Sequence, residues 1–544
     1  MKNKPSASTE KLIESLYARK GIWNRFLQAD ESDDIIRQIA AAGDPAVIPD
    51  LLPTLIIGNT NSILACAKAI HSLLQRLKPA DFVGFDEFVR RRNSDWHVRR
   101  EPWNLMKPKD ISHFVRMGEM SVSLLGIASC HANGHVREAA IQELGKIETG
   151  AELPFLLVRA NDWVTEIRSS AQRLLLNRIR SNYAHHLLVW LPLALRLRAA
   201  RRGDHSAVID AVREIFASTQ AHEILHQGFR SRDRLTQRFC FEIALNIEAS
   251  VLSTLQRAFV EGDSEVRKMA VRRLGGILPS AESKELLMRA RNDGSIAVRR
   301  EALRIIGEQY ADEAAGQFQS ALLDPNIAVR EAAQYYFRQN GSLDSRAYYL
   351  EAIKDLSGRQ LCAAVCGLGE VGLAKDARAV EGFARHESSK LRLAALHAMA
   401  KLDPDAYVEE FVVALEDPSR KVNQEAVIAL NKKANSIGGA RLWEVYNRCR
   451  YPHGRRGTLY LLARISKWDS IAFLIQSLGD HDQSLVELSR RYIVRWFARY
   501  NRSFATPSEG QLARLRVVLI DCKLLVGMGT QRQLDSLLKS FEGH

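Results

Sequence analysis

The sequence predicts an all-α chain, an α-solenoid of helical hairpins, and three observations carry that prediction. One helical signature recurs ten times between Arg137 and Leu462. From Arg267 its successive copies fall at 299, 330, 361, 392, 423 and 455, steps of 31 or 32 residues. An aspartate-containing turn precedes several copies at one fixed distance. A period this regular, within roughly 20 to 50 residues, marks stacked units that bury their apolar faces only against their neighbours.

The clearest copies read Val136-Arg137-x-x-Ala140-x-x-x-Leu144-Gly145, Val266-Arg267-x-x-Ala270-x-x-x-Leu274-Gly275, Val298-Arg299-x-x-Ala302-x-x-x-Ile306-Gly307 and Val329-Arg330-x-x-Ala333-x-x-x-Phe337. Degenerate copies hold Arg168, Arg238, Leu361, Arg392, Asn423 and Arg455 at the arginine position. Residues three, four and seven apart share one helix face, so the apolar residue, the alanine and the terminal leucine form an inward stripe. The small alanine lets a neighbouring helix approach closely. Asp162, Asp293, Asp324 and Asp417 each stand six residues before the arginine or its substitute, and Pro325 and Pro418 follow two of them. A second apolar helix precedes each turn, as in Leu286-Leu287 or Phe411-Val412-Val413. The unit is therefore helix, tight turn, helix, and the repeated span divided by the period gives about thirteen units.

The run Asp324-Pro325-x-x-x-Val329-Arg330-Glu331-Ala332-Ala333 resembles the short HEAT repeats of the phycobilisome-lyase type. The likeness covers residues 130 to 500 and is one of repeats only. It implies HEAT-like hairpins whose recurrent aspartate and arginine tie one unit to the next as a structural ladder. It does not imply the lyase activity in the family's name, because only the repeat is shared.

Four segments follow from this reading. Residues 1–80 form an N-terminal cap with one degenerate unit, whose helices run from Ala46 to Ile56 and from Ile63 to Leu77. Residues 81–117 break the repeat as a basic, tryptophan-containing insertion, within which the run from Arg90 to Lys109 is expected as an exposed loop or insertion. Residues 118–500 form the array; the 70 residues between Arg168 and Arg238 hold two units and a short insertion. Residues 501–544 form a C-terminal helical cap.

A reducing, cytoplasmic setting is expected. The start of the chain is polar and has no signal peptide pattern. The longest apolar run, Leu187 to Leu197, contains Pro192 and Arg196 and falls short of the ~20 residues that a membrane span needs. Seven cysteines are scattered and odd in number, which argues against a disulfide framework. Cys362 and Cys366 share a helix face with no further ligand nearby, a pattern of core packing.

Formal net charge is +14, with 56 arginines and 21 lysines, a balance that suits a polyanionic partner. Three clusters concentrate it. Arg90, Arg91, Arg92, Arg99, Arg100, Lys107 and Lys109 surround Trp96 and Trp103, with only Asp95 and Glu101 among them. Arg490, Arg491, Arg495, Arg499 and Arg502 run beside Tyr492, Trp496 and Tyr500 without an acid, and Arg490 stands where the repeat wants alanine. Arg448, Arg450, His453, Arg455 and Arg456 gather around Pro452. Arginine interleaved with aromatic residues suits phosphate contact and stacking; the competing reading is that the rings anchor structure and the arginines are solvated.

His222-Glu223-Ile224-Leu225-His226 matches H-E-x-x-H, in which two histidines a helical turn apart bind zinc and the glutamate is the general base. Glu242 and Glu248 are the available third ligands. The repeat register instead places His226 at a core-type position of a first helix. No phosphate-binding glycine loop and no nucleophile elbow occurs. The expectation is a non-catalytic, cofactor-free scaffold whose partner is first a protein and second a nucleic acid, without membrane insertion. Zinc-dependent hydrolysis at His222, Glu223 and His226 is a distant third.

Overall fold

The computed structural model describes residues 6–18, 29–94, 101–247, 251–310, 314–339, 344–500 and 505–541. Every regular element among the described residues is helical. The chain divides into two compact units, Met1–Leu286 and Leu287–His544, each a stack of HEAT-like hairpins.

In the first unit the hairpins pair Ile48–Ile57 with Thr60–Leu74, Ser121–Ala128 with Gly134–Leu144, Leu153–Arg159 with Thr165–Leu176, Ala184–Leu195 with Ser206–Ala217, His222–Gly228 with Arg234–Ala244 and Val251–Glu261 with Ser264–Leu274. In the second they pair Ala315–Leu322 with Ile327–Gln339, Ser345–Asp355 with Gly358–Val371, Ala377–Glu381 with Ser389–Leu402, Val408–Ala414 with Arg420–Leu430, Gly439–Arg448 with Pro452–Leu462 and Lys467–Gln476 with Gln483–Ala498. Glu509–Asp521 then packs on Lys467–Gln476. Within each unit, second helices stack on second helices. The signature alanines make this possible: Ala140, Ala171, Ala270, Ala302, Ala333, Ala395 and Ala426 are wholly buried. At Gly369 the approach is closer still, since a Cβ there would lie 2.7 Å from the Cα of Ala398.

The recurrent arginine and aspartate form a ladder. Arg137 Nε and Nη2 donate to the two carboxylate oxygens of Asp162 at 3.1 and 3.0 Å. Arg299 does the same to Asp324 at 2.8 and 2.9 Å, and Arg392 to Asp417 at 2.7 and 2.9 Å. Arg238 bonds Asp263, and Arg455 bonds Asp480. Each partner stands 25 residues on, which is one period less the six residues separating aspartate from arginine. The same aspartates close their own turns, accepting backbone N–H bonds from Val164, Asn326, Ser419 and Asp482. The arginines also reach back to their own turns: Arg299 donates to the Asp293 carbonyl at 2.9 Å and Arg392 to that of His386 at 2.8 Å. Each rung thus ties two turns together with charge-assisted, forked hydrogen bonds.

Beside these five rungs, other pairs tie the units together. Leu361 is apolar, and on either side of it Arg330 pairs with Glu370 and Arg346 with Asp376. Asn423 only donates to the Leu415 carbonyl at 2.7 Å, and there the polarity reverses: Arg441 and Arg448 of the following hairpin reach back to Glu409 and Glu416. The insertion lies between Leu195 and Ser206. It leaves Arg168 with the Asp162 carbonyl and the Thr165 hydroxyl in place of an aspartate side chain.

Two expectations need correction. The run 90–109 is not simply a loop: it begins within the helix Phe82–Ser94, held by buried Phe82, Phe85 and Val89, and Glu101–Asn104 is a further helical turn. In the last copy the small residue is Ser489, wholly buried and bonded to Ser477 and the Leu485 carbonyl, rather than Arg490. Counting 34 residues from Arg455 gives Ser489, so Arg490 lies one step off the core stripe and is exposed.

The ladder gives two predictions. Arg137 and Asp162 are both 0% exposed, whereas Arg238 is 36% exposed. Arg137→Ala removes the forked donor from a buried carboxylate and leaves it only Arg159 and the Val164 N–H, so it is expected to destabilise by about 3–5 kcal/mol, against about 0–1 kcal/mol for Arg238→Ala; denaturant unfolding midpoints check this, and equal losses would contradict it. In Asp162 burial pushes the pKa up, but the Arg137 bond, the Arg159 charge and the Val164 N–H outweigh it, so the net shift is downward. In Asp376 the Arg346 bond leads the same downward shift. Stabilisation from depressed carboxylates is present above their unfolded pKa, near 3.8, and is lost as pH falls through the folded values. Unfolding midpoints should therefore be flat from pH 7 to about 5 and fall below about 4, and this acid loss should shrink in the Asp162→Asn variant.

Candidate interaction groove

Of the first basic cluster, Arg90, Arg91, Trp103, Lys107 and Lys109 are described; the Arg92 side chain, Trp96, Arg99 and Arg100 lie outside the described residues. Arg90 turns inward to Asp86, which also binds Arg159. Arg159 donates to Asp162 at 2.8 Å, so this network joins the ladder. The guanidinium groups of Arg90 and Arg137 lie 4.4 and 4.3 Å from the ring centre of Trp163. Arg91 is exposed beside Glu87. Trp103 is 0% exposed, stacks near Phe114, and its carbonyl accepts from His131 Nε2 at 2.9 Å. Arg90 and Trp103 therefore serve packing, while Lys107 and Lys109 are exposed and Lys109 lines a shallow cleft of about 340 Å³ with Arg116 and Glu143.

The second cluster is different. On Gln483–Ala498 and just past its end, Arg491, Arg495 and Arg499 are exposed, while Trp496 is 8% exposed and donates its indole N–H to the Lys467 carbonyl at 2.8 Å. Arg502 lies outside the described residues. A cleft of about 440 Å³ opens beside Trp496, lined by Arg464, Lys467, Arg495 and Arg499. A second lobe of about 1070 Å³ adjoins it, with Tyr460 and Tyr492 lining both. Arg420, Gln424, Val427 and Ile428 line this lobe from one second helix, His453, Arg456 and Gly457 from the next, and Leu488 from the last.

Three consecutive second helices, with Lys467–Gln476 beside the last, thus make one groove, and among the described residues no carboxylate lines either lobe. Among the described residues Arg420, Arg464, Arg495 and Arg499 form no ion pair, and Arg456 bonds only the Ser484 hydroxyl at 3.0 Å. Arg464 lies 4.2 Å from the ring centre of Tyr460. Burial raises the pKa of the Tyr492 hydroxyl against the opposing pull of Arg495, Arg464 and Arg491, whose charges converge on it. Lys467 donates to the Tyr500 carbonyl at 2.9 Å and sits 3.7 Å from that ring's centre, and burial lowers its pKa. The third cluster splits: His453 and Arg456 join the groove, Arg448 is committed to Glu416, and Arg455 is a ladder residue. Sequence reading missed Arg420, Tyr460 and Arg464. The available signal was the period, since Arg420, Arg456 and Leu488 stand about 32 to 36 residues apart on adjacent helices.

The H-E-x-x-H segment forms the short helix His222–Gly228. The His222 and His226 rings lie 4.3 Å apart, but His226 also stacks on Phe229 at 4.9 Å. Its Nδ1 accepts from Arg257 at 3.1 Å, and Arg257 is held by Glu261. Burial, then the His222 and Arg257 charges, lower the His226 pKa. Glu242 pairs with Arg213 at 3.0 Å, and Glu248 lies outside the described residues. A guanidinium beside the imidazole does not fit a zinc site, and no group of three or more metal-ligating side chains occurs among the described residues.

No protein-family model matches the chain, and no curated protein matches it. Solved structures that resemble it include importin beta, at 12% identity over 97% of this chain and 83% of that one with a TM-score of 0.31. The Kap95:Nup1 complex matches at 12% identity over 94% and 80% with a TM-score of 0.35. The S. pombe condensin Cnd3-Cnd2 subcomplex matches at 13% identity over 98% and 84% with a TM-score of 0.33. No helix of the described residues is long and apolar enough to cross a membrane.

With Arg257 rather than a metal beside His226, elemental analysis of the purified protein is expected to find no stoichiometric zinc, and chelators should leave its unfolding midpoint unchanged. One zinc per chain, lost on His226→Ala, would contradict this.

Proposed function

We propose that the protein is a non-catalytic, cytoplasmic scaffold that holds a macromolecular partner, a protein, along the groove of its second unit. The repeat likeness to the phycobilisome-lyase type bears on the scaffold and carries no lyase chemistry. The single observation behind the reading is the acid-free wall of exposed arginines at 420, 456, 464, 495 and 499, in a chain that pairs most of its ladder arginines with carboxylates. Such a wall supplies a potential that steers an acidic partner and fixes its register. An open groove shared by several repeats suits an extended macromolecular surface better than a small molecule. Nucleic acid is the second reading, favoured by the number of uncompensated arginines.

The test immobilises full-length protein and its Arg456→Glu/Arg495→Glu variant in native host extract, with and without nuclease. Both side chains are exposed, so folding survives and a loss of partner belongs to the groove. A defined protein retained by the wild type after nuclease, and retained at least tenfold less by the variant, is expected. Retention abolished by nuclease, or indifferent to the substitutions, would overturn the protein reading. Binding to nucleic acid would instead fall steeply with salt, since every neutralised phosphate releases counterions.

A further inference from the structure

The groove has a second character besides charge. Val427, Ile428 and Leu488 line the larger lobe, and Ile465 and Leu474 line the smaller. Ile428 is 69% exposed, a large aliphatic group open to the groove. Basic residues stand beside this apolar strip: Arg420 and Arg456 at one end, Arg464, Arg495 and Arg499 at the other. Nucleic acid offers phosphates to the arginines but nothing aliphatic to the strip. It would also need open aromatic faces on which bases could stack. Two of the groove's rings are taken, since Trp496 is buried with its N–H donated and Tyr460 carries the Arg464 guanidinium over its ring, which leaves Tyr492 as the one tyrosine shared by both lobes without a ring or cation stacked on it among the described residues.

We propose that the groove receives an acidic amphipathic helix of another protein, its apolar face on Val427, Ile428 and Leu488 and its carboxylates flanked by Arg420, Arg456, Arg495 and Arg499. This rests on the protein-scaffold reading and names the partner's chemistry. Three packed second helices at ~8–10 Å spacing span about 20 Å, which matches about 13 residues of helix at 1.5 Å per residue. Apolar anchors at i, i+3, i+4 and i+7 would follow the strip. Guanidinium groups offer paired donors to carboxylates on either side.

The probe is a fluorescein-labelled synthetic helix of about 16 residues, with leucines on one stripe and glutamates flanking it, titrated into full-length protein by anisotropy. Two sister peptides replace every glutamate by glutamine or every leucine by serine, and a single-stranded oligothymidylate of about 20 nucleotides is the competing ligand. The Glu/Leu peptide is expected to bind, and both sister peptides to bind at least tenfold more weakly. Loss of one central anchor, in Ile428→Gln, should weaken the Glu/Leu peptide about tenfold, and Arg456→Glu/Arg495→Glu should weaken it further. Ile428 is exposed, so this variant should keep the wild-type unfolding midpoint.

Equal binding of the serine peptide would make the groove a charge site without an apolar face and overturn the proposal. So would preferential binding of oligothymidylate, or no binding of the Glu/Leu peptide. If the peptide fails while the extract still yields a nuclease-resistant partner lost on Arg456→Glu/Arg495→Glu, the scaffold reading stands and the amphipathic helix alone falls.

Discussion

The forked bond from an arginine to the aspartate 25 residues on is the constraint from which most of the structure follows. Each aspartate serves two masters. It closes its own turn through backbone N–H groups and fixes the preceding unit through the guanidinium. A turn that loosened would release the rung, and a lost rung would leave turn carbonyls and a carboxylate without their guanidinium donor. Apolar burial supplies most of the energy of such a stack, but burial is not directional. The rungs set which turn faces which.

The ladder also explains where free positive charge is found. Most arginines in register are paired with a carboxylate, so they offer little to a ligand. The last second helix, Gln483–Ala498, has Val486 in the ladder position, 31 residues after Arg455. Its arginines stand off the core stripe at 491, 495 and 499, exposed and without an ion pair among the described residues. At the Asn423 step the arginine rung gives way to bonds of opposite polarity to Glu409 and Glu416, and Arg420 and Arg456, which stand off the ladder positions, line the groove. The candidate site lies where the repeat rule lapses, and aliphatic Ile428 and Leu488 line the same lobe.

Much of this was legible in the sequence. The period, the inward stripe and the separation of six residues between aspartate and arginine are local patterns, and the hairpins and the rung geometry follow from them. The arginine run at 491–499 was also visible. What was not legible depended on contacts between distant residues. Arg90 and Trp103 read as a basic, aromatic surface, yet Asp86 and Arg159 draw one inward and Phe114 and His131 enclose the other. Arg490 was placed on the core stripe by one position, because the degenerate copy lacks the arginine that sets the register. The H-E-x-x-H spacing was read correctly as one face of a helix, but Arg257, 31 residues beyond His226, decides its chemistry.

The central claim is that the rungs couple neighbouring units. A double-mutant cycle on Arg299 and Asp324, with Arg299→Ala, Asp324→Ala and the double variant compared by denaturant unfolding, measures that coupling directly. The ladder predicts a favourable interaction of about 1–3 kcal/mol, with the double variant destabilised by clearly less than the sum of the singles. Strict additivity, within about 0.3–0.5 kcal/mol, would mean that the forked bond does not hold the units together and would contradict the account.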